Sequence, residues 1–202
     1  MCMERKEYSA GAVKHSFWFL EFRNEIKLLS EGKDFQEIRQ LCMTENIFAA
    51  STSERAAQIF HTVSARIKAL GETCYPVFLN GDLSTQKLFN LAAIMINDTL
   101  FFDFVYEVIR EKMIIGCNEY KQSDLNIFFR DKQLQSKKAA GWTDATLTRL
   151  GTNYRNFLFE AGMTDKGKEV RKIFRPILEP DMESWLIDHD MEQIVKAFSG
   201  VR

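Results

Sequence analysis

The stretch LFNLAAIMINDTLFFDFVYEVI, residues 88–109, is the longest apolar run in the chain, and what it forms decides the fold. A helix that crosses a membrane needs about 20 largely uncharged residues in a row. Asn97, Asp98 and Asp103 interrupt this run, and carboxylates near the middle of a span make insertion costly. The run therefore predicts two buried helices, about 84–97 and 98–113, that meet at NDT with Asp98 capping the second. Their broad apolar surfaces place them at the centre of a bundle, and Gly116 ends the pair.

On the N-terminal side the pattern is helical almost throughout, and no proline precedes Pro76. A first helix is expected over 13–30, with Phe17, Leu20, Ile26 and Leu28 apolar and Gly32 as its stop. A second is expected over 34–45, capped by Asp34, with Phe35, Ile38, Leu41 and Cys42 on one face. Ser51-Thr52-Ser53-Glu54 has the S-x-x-E form of a capping box, which makes Ser51 the cap of a third helix. Ala56, Ile59, Phe60, Val63 and Ile67 continue it to about Leu70, where Gly71 and CYP break the pattern.

A chain of 202 residues with 46% hydrophobic and 27% charged residues can bury a core, so wholesale disorder is excluded. The net charge of −1 gives no global sign of a nucleic-acid partner, so any such signal must be local. Cys2, Cys42, Cys74 and Cys117 are scattered and form no C-x-x-C pair, as expected of buried thiols in a reducing compartment. The start MCMERKEYSAG lacks an apolar signal segment, and a cytoplasmic protein with no membrane attachment is expected. His15, His61 and His189 have no metal-ligand spacing, and DHD at 188–190 reads as a solvated helix face. Phosphate-loop, dinucleotide and nucleophile-elbow motifs are missing. No catalytic residue, metal, cofactor or small-molecule substrate is therefore expected.

Beyond residue 121 the character changes. SDLNIFFRDKQLQSKKAAG, residues 123–141, predicts a capped helix with Leu125, Phe128, Phe129 and Leu134 inward. Gly141 allows a turn, and Thr143 caps the helix of TDATLTRLGTNYRNFLFEAG. Leu147, Leu150, Tyr154, Phe157, Leu158 and Ala161 form its apolar stripe. Thr146, Arg149, Asn153 and Asn156 flank it on one side, Thr148, Thr152 and Arg155 on the other. A solvated face more often mixes Glu with Lys. This one offers groups that pair with bases and phosphates: Arg with guanine, Asn with adenine, Thr with phosphate. Lys137 and Lys138 precede it and Lys166 follows; Lys168, Arg171, Lys172 and Arg175 fall within the best strand candidate, 168–178, which Pro176 confines to an edge or ends. Residues 130–175 hold eleven Lys and Arg against five Asp and Glu, a balance of +6, so the rest of the chain carries −7. Helix, turn, helix and basic hairpin are the parts of a winged helix-turn-helix. A last helix is expected over 181–198, capped by Asp181.

The expected protein is thus mainly α: a helical bundle over 1–121, then a winged-helix-like part over 122–202 with a short β-hairpin. The proposed nucleic-acid contacts are Lys137, Lys138, Thr146, Arg149, Asn153, Arg155, Asn156, Lys166, Lys168, Arg171, Lys172 and Arg175. Double-stranded DNA is the expected partner. The alternatives are RNA, stacked on Trp18, Trp142 or Tyr120 if these are exposed, and a pure assembly role with no nucleic acid.

Four blocks, YSAGAVKHSFWFLEF, ENIFAASTSERAAQIF, DFVYEVIREKM and GWTDATLTRLGTNYRNFLFEAG, resemble in order and spacing the BrxA family, small accessory proteins of the BREX bacteriophage-exclusion system. The resemblance implies an all-α fold like that of the NusB antitermination protein. It also implies no enzymatic activity, binding of double-stranded DNA, and partners among the other BREX proteins, which include a methyltransferase, large ATPases and a phosphatase-like protein. It carries over no individual site residue.

Overall fold

The two central helices form where the sequence places them. α5 (Leu83–Asn97) and α6 (Thr99–Phe104) meet at Asp98, whose carboxylate accepts from the Phe101 N–H at 3.0 Å. In this computed structural model, which describes residues 5–201, α5 and the helical stretch after it are bent from one another by 113°. No single helix among the described residues is long and apolar enough to cross a membrane. Phe89, Leu91, Met95, Phe101 and Phe104 lie fully buried at the centre of the protein instead. Past α6 the helix widens into a π-turn, Val105–Ile109, before α7 (Arg110–Ile114) completes it.

Around this pair stand α1 (Phe19–Ser30), α2 (Phe35–Thr44), α3 (Ser53–Leu70) and α4 (Cys74–Asn80). Asp34 caps α2 as expected, and Glu37 returns a bond to the Asp34 N–H at 2.8 Å. The cap of α3 is Thr52, not Ser51: its hydroxyl accepts from the Arg55 N–H at 3.2 Å, one residue beyond the expected position. α4 occupies part of the segment read as a break, because Pro76 falls in its first turn, where an N–H has no helical partner to lose. The first helix starts later than the expected residue 13. Arg66 donates to the Phe17 and Ser16 carbonyls at 2.6 and 2.8 Å, and Asn90 to Phe17 at 2.8 Å, so these carbonyls cannot serve a helix. The chain turns there through Trp18, at a left-handed φ of 48°, between a short 3-10 turn (Gly11–Lys14) and α1.

The C-terminal part runs β1 (Glu119–Lys121), α8 (Gln122–Gln135), α9 (Lys137–Ala140), α10 (Asp144–Glu160) and β2 (Val170–Lys172). β1 and β2 pair antiparallel, with Tyr120 opposite Arg171. A further bridge joins Thr164 to Ile173, so residues 163–174 fold back as a hairpin lying beside β1. Gly167 stands at its tip, where a Cβ would lie 1.9 Å from the Val170 carbonyl oxygen. Leu125, Phe128 and Phe129 of α8 point inward as expected, but Leu134 is 88% exposed. The break at Ser136, which starts α9, leaves the last turn of α8 without a facing element for that side chain.

The single last helix expected over 181–198 is two: α11 (Pro180–Asp188) and α12 (Glu192–Ser199), parted at Asp190 with φ 59°. Asp181 does not cap α11, which opens on Pro180, a residue suited to a first helical position. α11 returns to the N-terminal bundle: Phe22, Phe78, Phe89 and Trp185 stack edge-to-face in sequence at 5.6, 6.0 and 5.5 Å. One apolar core therefore runs through both parts of the chain. Cys42 and Cys74 are buried and Cys117 half-buried, while Cys2 lies outside the described residues.

The N-terminal segment is strapped across this core. Tyr8 and Arg5 both donate to the buried Asp103, at 2.6 and 2.8 Å, and Lys6 N donates to Thr99 Oγ1 at 3.0 Å. Glu7 pairs with Lys138 at 2.8 Å.

One buried acid gives the fold a pH dependence. Burial pushes the Glu25 carboxyl up to about 8, against the opposing pull of the Ser64 hydroxyl and Lys68. The folded protein keeps a proton there that the unfolded chain releases near 4.5. Glu25 thus adds stability below about pH 4.5, and that contribution is lost as the pH rises to about 8. Glu25→Gln, a neutral isostere, should unfold near the wild-type temperature at the acid end of this window and well above it at the alkaline end. Thermal melts across the window check this; parallel curves for the two proteins would mean that Glu25 holds no such proton.

Candidate nucleic-acid interface

Thr143 starts α10 as expected, accepting from the Thr146 N–H at 3.3 Å. Leu150, Tyr154, Phe157 and Leu158 are buried beneath it, with the Tyr154 and Phe157 rings 4.8 and 5.4 Å from Phe101. Tyr154 reaches Asp98 with its hydroxyl, so the cap of α6 also anchors α10. Gly151 lets the helix lie close on α8: a Cβ there would come within 2.7 Å of the Leu125 side chain. α10 is thereby fixed flat on the core, and only its outer ridge can meet a ligand.

Three of the side chains proposed for contact serve the fold instead. Asn153 was expected on an exposed stripe; it is half-buried and donates to the Ala12 and His15 carbonyls at 2.6 and 3.2 Å, which pins the N-terminal segment. Arg155 donates to Gln122 at 2.6 Å and to the Gly167 carbonyl at 2.7 Å, and also reaches the Lys168 carbonyl. Arg171 is buried, donating to the Gly167 carbonyl at 3.0 Å and to the Arg155 carbonyl, and burial holds its pKa below the usual value. These two arginines clasp the hairpin tip against the flank of α10. The Arg155 terminal nitrogens and the Arg171 Nε and one terminal nitrogen bond carbonyl oxygens, which a phosphate would have to displace.

The others lie at the surface. Arg149 and Asn156 are exposed on one ridge of α10, and their side chains bond nothing else among the described residues. Thr148 and Thr152 lie between and beside them, with hydroxyls turned back to the carbonyls of Asp144 and Thr148 at 2.8 and 2.9 Å. Thr146 is half-buried, 3.1 Å from the Thr143 hydroxyl. Lys137, Lys166, Lys168 and Lys172 are exposed, Lys166 standing 5.5 Å over the Phe159 ring. Lys138 is exposed but paired with Glu7, and Arg175 bonds the Met113 carbonyl at 3.3 Å.

The basic surplus of residues 130–175 is therefore smaller at the surface than in the sequence. Lys132, buried against Glu107 at 2.6 Å, joins Arg155 and Arg171 in facing inward. Eight of the eleven cations remain outside against the same five carboxylates, a surplus of about three. Sequence reasoning missed β1, a three-residue strand whose pairing with β2 holds the hairpin in place. So short a strand, embedded in polar residues, carries no periodic signal of its own.

A sequence model of the BrxA family matches residues 6–190 of this chain. A BREX protein BrxA from Bacillus cereus (strain H3081.97) is 36% identical over 180 residues, which cover 89% of this chain and 90% of that protein. A BREX protein BrxA from Escherichia coli O9:H4 (strain HS) is 21% identical over 182 residues, covering 90% and 85%. The crystal structure of an uncharacterized protein from Magnetospirillum magneticum superposes with a TM-score of 0.81 over 97% of this chain and all of that one, at 17% identity, a likeness of fold.

Proposed function

This chain belongs to the BrxA family, and from that premise we propose that it is a non-enzymatic accessory protein of the BREX system that binds double-stranded DNA and docks on other BREX proteins. The observation that carries the DNA reading is the Arg155 clasp. By bonding the hairpin tip from one flank of α10, it fixes the segment that carries Lys166 and Lys168 against the helix whose outer ridge exposes Arg149 and Asn156. Strand, helix, turn, helix and hairpin follow in the order of a winged helix, with α10 as the helix for the groove and residues 165–172 as the wing. Lys137 and Lys138 at the turn, Thr146, Lys172 on the hairpin and Arg175 just past it serve phosphates. Of the three aromatics named for the RNA alternative, Trp18 and Tyr120 are buried and cannot stack on bases, which leaves the half-buried Trp142 as its one platform.

The test is a titration of labelled duplex, single-stranded RNA of equal length and a non-nucleic polyanion across a salt series. With one phosphate met by each of Lys137, Lys166, Lys168, Lys172 and Arg175, all exposed, the slope of log K against log salt for the duplex should be about −4.5. Binding that does not change with salt would sink the electrostatic reading. Tighter binding of the RNA would move the ligand class, and no binding of either would leave an assembly role alone.

A further inference from the structure

The π-turn Val105–Ile109 and α7 face α8 across a groove of about 360 Å³ that has no part in the DNA reading. Its apolar surface is open. Ile115 at the end of α7 is 75% exposed and Ile127 of α8 is 58% exposed. Leu134, two helical turns beyond Ile127 on the same side of α8, extends the stripe. Its rim is acidic. Glu107, Glu111, Asp124 and Asp131 line it, with Lys112 as the one cation among the lining residues. Lys112 is held by Asp124 at 3.0 Å. The cations that meet Glu107 and Glu111 come from behind: the Lys132 and Arg110 side chains are 5% and 8% exposed, while the two glutamates stand about half exposed. An approaching molecule meets carboxylates first.

From this geometry we infer that the groove docks a basic amphipathic helix of a partner protein, which lays apolar side chains on Ile115 and Ile127 and points Lys or Arg at Glu107, Glu111 and Asp131. The charge excludes a nucleic-acid occupant, whose phosphates the rim would repel. The exposed isoleucines ask for aliphatic cover, and an amphipathic helix in an apolar groove supplies both that cover and the charge. The π-turn fits the same role: it is a rare conformation that concentrates at functional sites, and here it sets Glu107 and Val108 along the groove. The inference rests on the proposed docking upon other BREX proteins.

Its test uses the full chain and a fluorescent fourteen-residue helical peptide of leucine and lysine, beside the same peptide with every lysine made glutamate. The lysine peptide should bind and the glutamate peptide should not. Ile127→Asp and Asp131→Lys, both at exposed positions, should each weaken the lysine peptide at least tenfold, and Arg149→Ala should leave it unchanged. Equal affinity in Ile127→Asp and wild type, or equal binding of the two peptides, would overturn the proposal. A second arm co-expresses the tagged chain with the other proteins of its system. A component kept by the wild type and lost with Ile127→Asp supports the groove. A component kept by both overturns it, and if the wild type keeps none the docking part of the proposed function fails while the peptide arm still judges the groove. Duplex affinity, measured on Ile127→Asp, should not move; its loss there would place DNA on this face and overturn the inference too.

Discussion

Asp103→Ala should lower the unfolding free energy by about 3–5 kcal/mol, the usual cost of removing one partner from a buried charge cluster. Asp103 is almost wholly buried and gathers Arg5 at 2.8 Å, the Tyr8 hydroxyl at 2.6 Å and the Lys132 ammonium at 3.6 Å. Without it, Lys132 stays buried with Glu107 as its one remaining carboxylate, and the Tyr8 hydroxyl loses its acceptor. Arg5 contributes least, since its side chain is 59% exposed and can return to water. The N-terminal strap should loosen in the same variant, because two of its anchors end on this carboxylate. Urea denaturation measures the first effect and amide exchange over residues 5–15 the second. Asp103→Leu combined with Lys132→Met should recover much of the loss, because it removes the stranded cation along with the carboxylate. A loss below about 1 kcal/mol in Asp103→Ala would show that the cluster contributes no more than a surface pair does.

Arg149→Ala combined with Asn156→Ala should weaken duplex binding at least tenfold, about 1.4 kcal/mol or more, with the fold intact. The two side chains stand two turns apart on the outer ridge of α10 and make no internal bonds among the described residues, so truncating them disturbs no packing. Asn153→Ala should behave otherwise: its amide bonds the Ala12 and His15 carbonyls, so stability falls before any effect on DNA appears. Lys166→Ala, Lys168→Ala and Lys172→Ala together should weaken all duplex sequences alike and flatten the salt slope by up to about 0.9 per lost phosphate contact. Fluorescence anisotropy at several salt concentrations, with circular dichroism on each variant, reads all of these. If both combined variants bind as the wild type does, α10 is a packed helix and any DNA lies elsewhere on the molecule.

The sequence by itself determined most of the helices and three of the five caps named from it. Asp34, Asp98 and Thr143 each receive the backbone N–H that their spacing predicts, and the buried face of α10 is the stripe read from its periodicity. These features are local: a cap and a stripe depend on residues three or four apart, so the pattern carries them. The Ser51 reading failed by one residue, because Ser51 and Thr52 are chemically equivalent caps and only the backbone path chooses between them.

What the tertiary structure alone decided is where long polar side chains end. Asn153 and Arg155 sit on stripes that spacing marks as exposed, yet each finds carbonyl oxygens on segments that the fold brings in: residues 12–15, far back in the chain, for Asn153, and the hairpin tip for Arg155. The same non-local capture of the Ser16 and Phe17 carbonyls by Arg66 and Asn90 stops the first helix short of its pattern. β1 exists because β2 comes back to pair with it, and Leu134 faces water because no element arrives to cover it. Apolar periodicity fixes which face of a helix is buried. The partner that a buried donor or acceptor takes is set by whichever backbone groups the fold leaves without bonds nearby, and those belong to distant sequence.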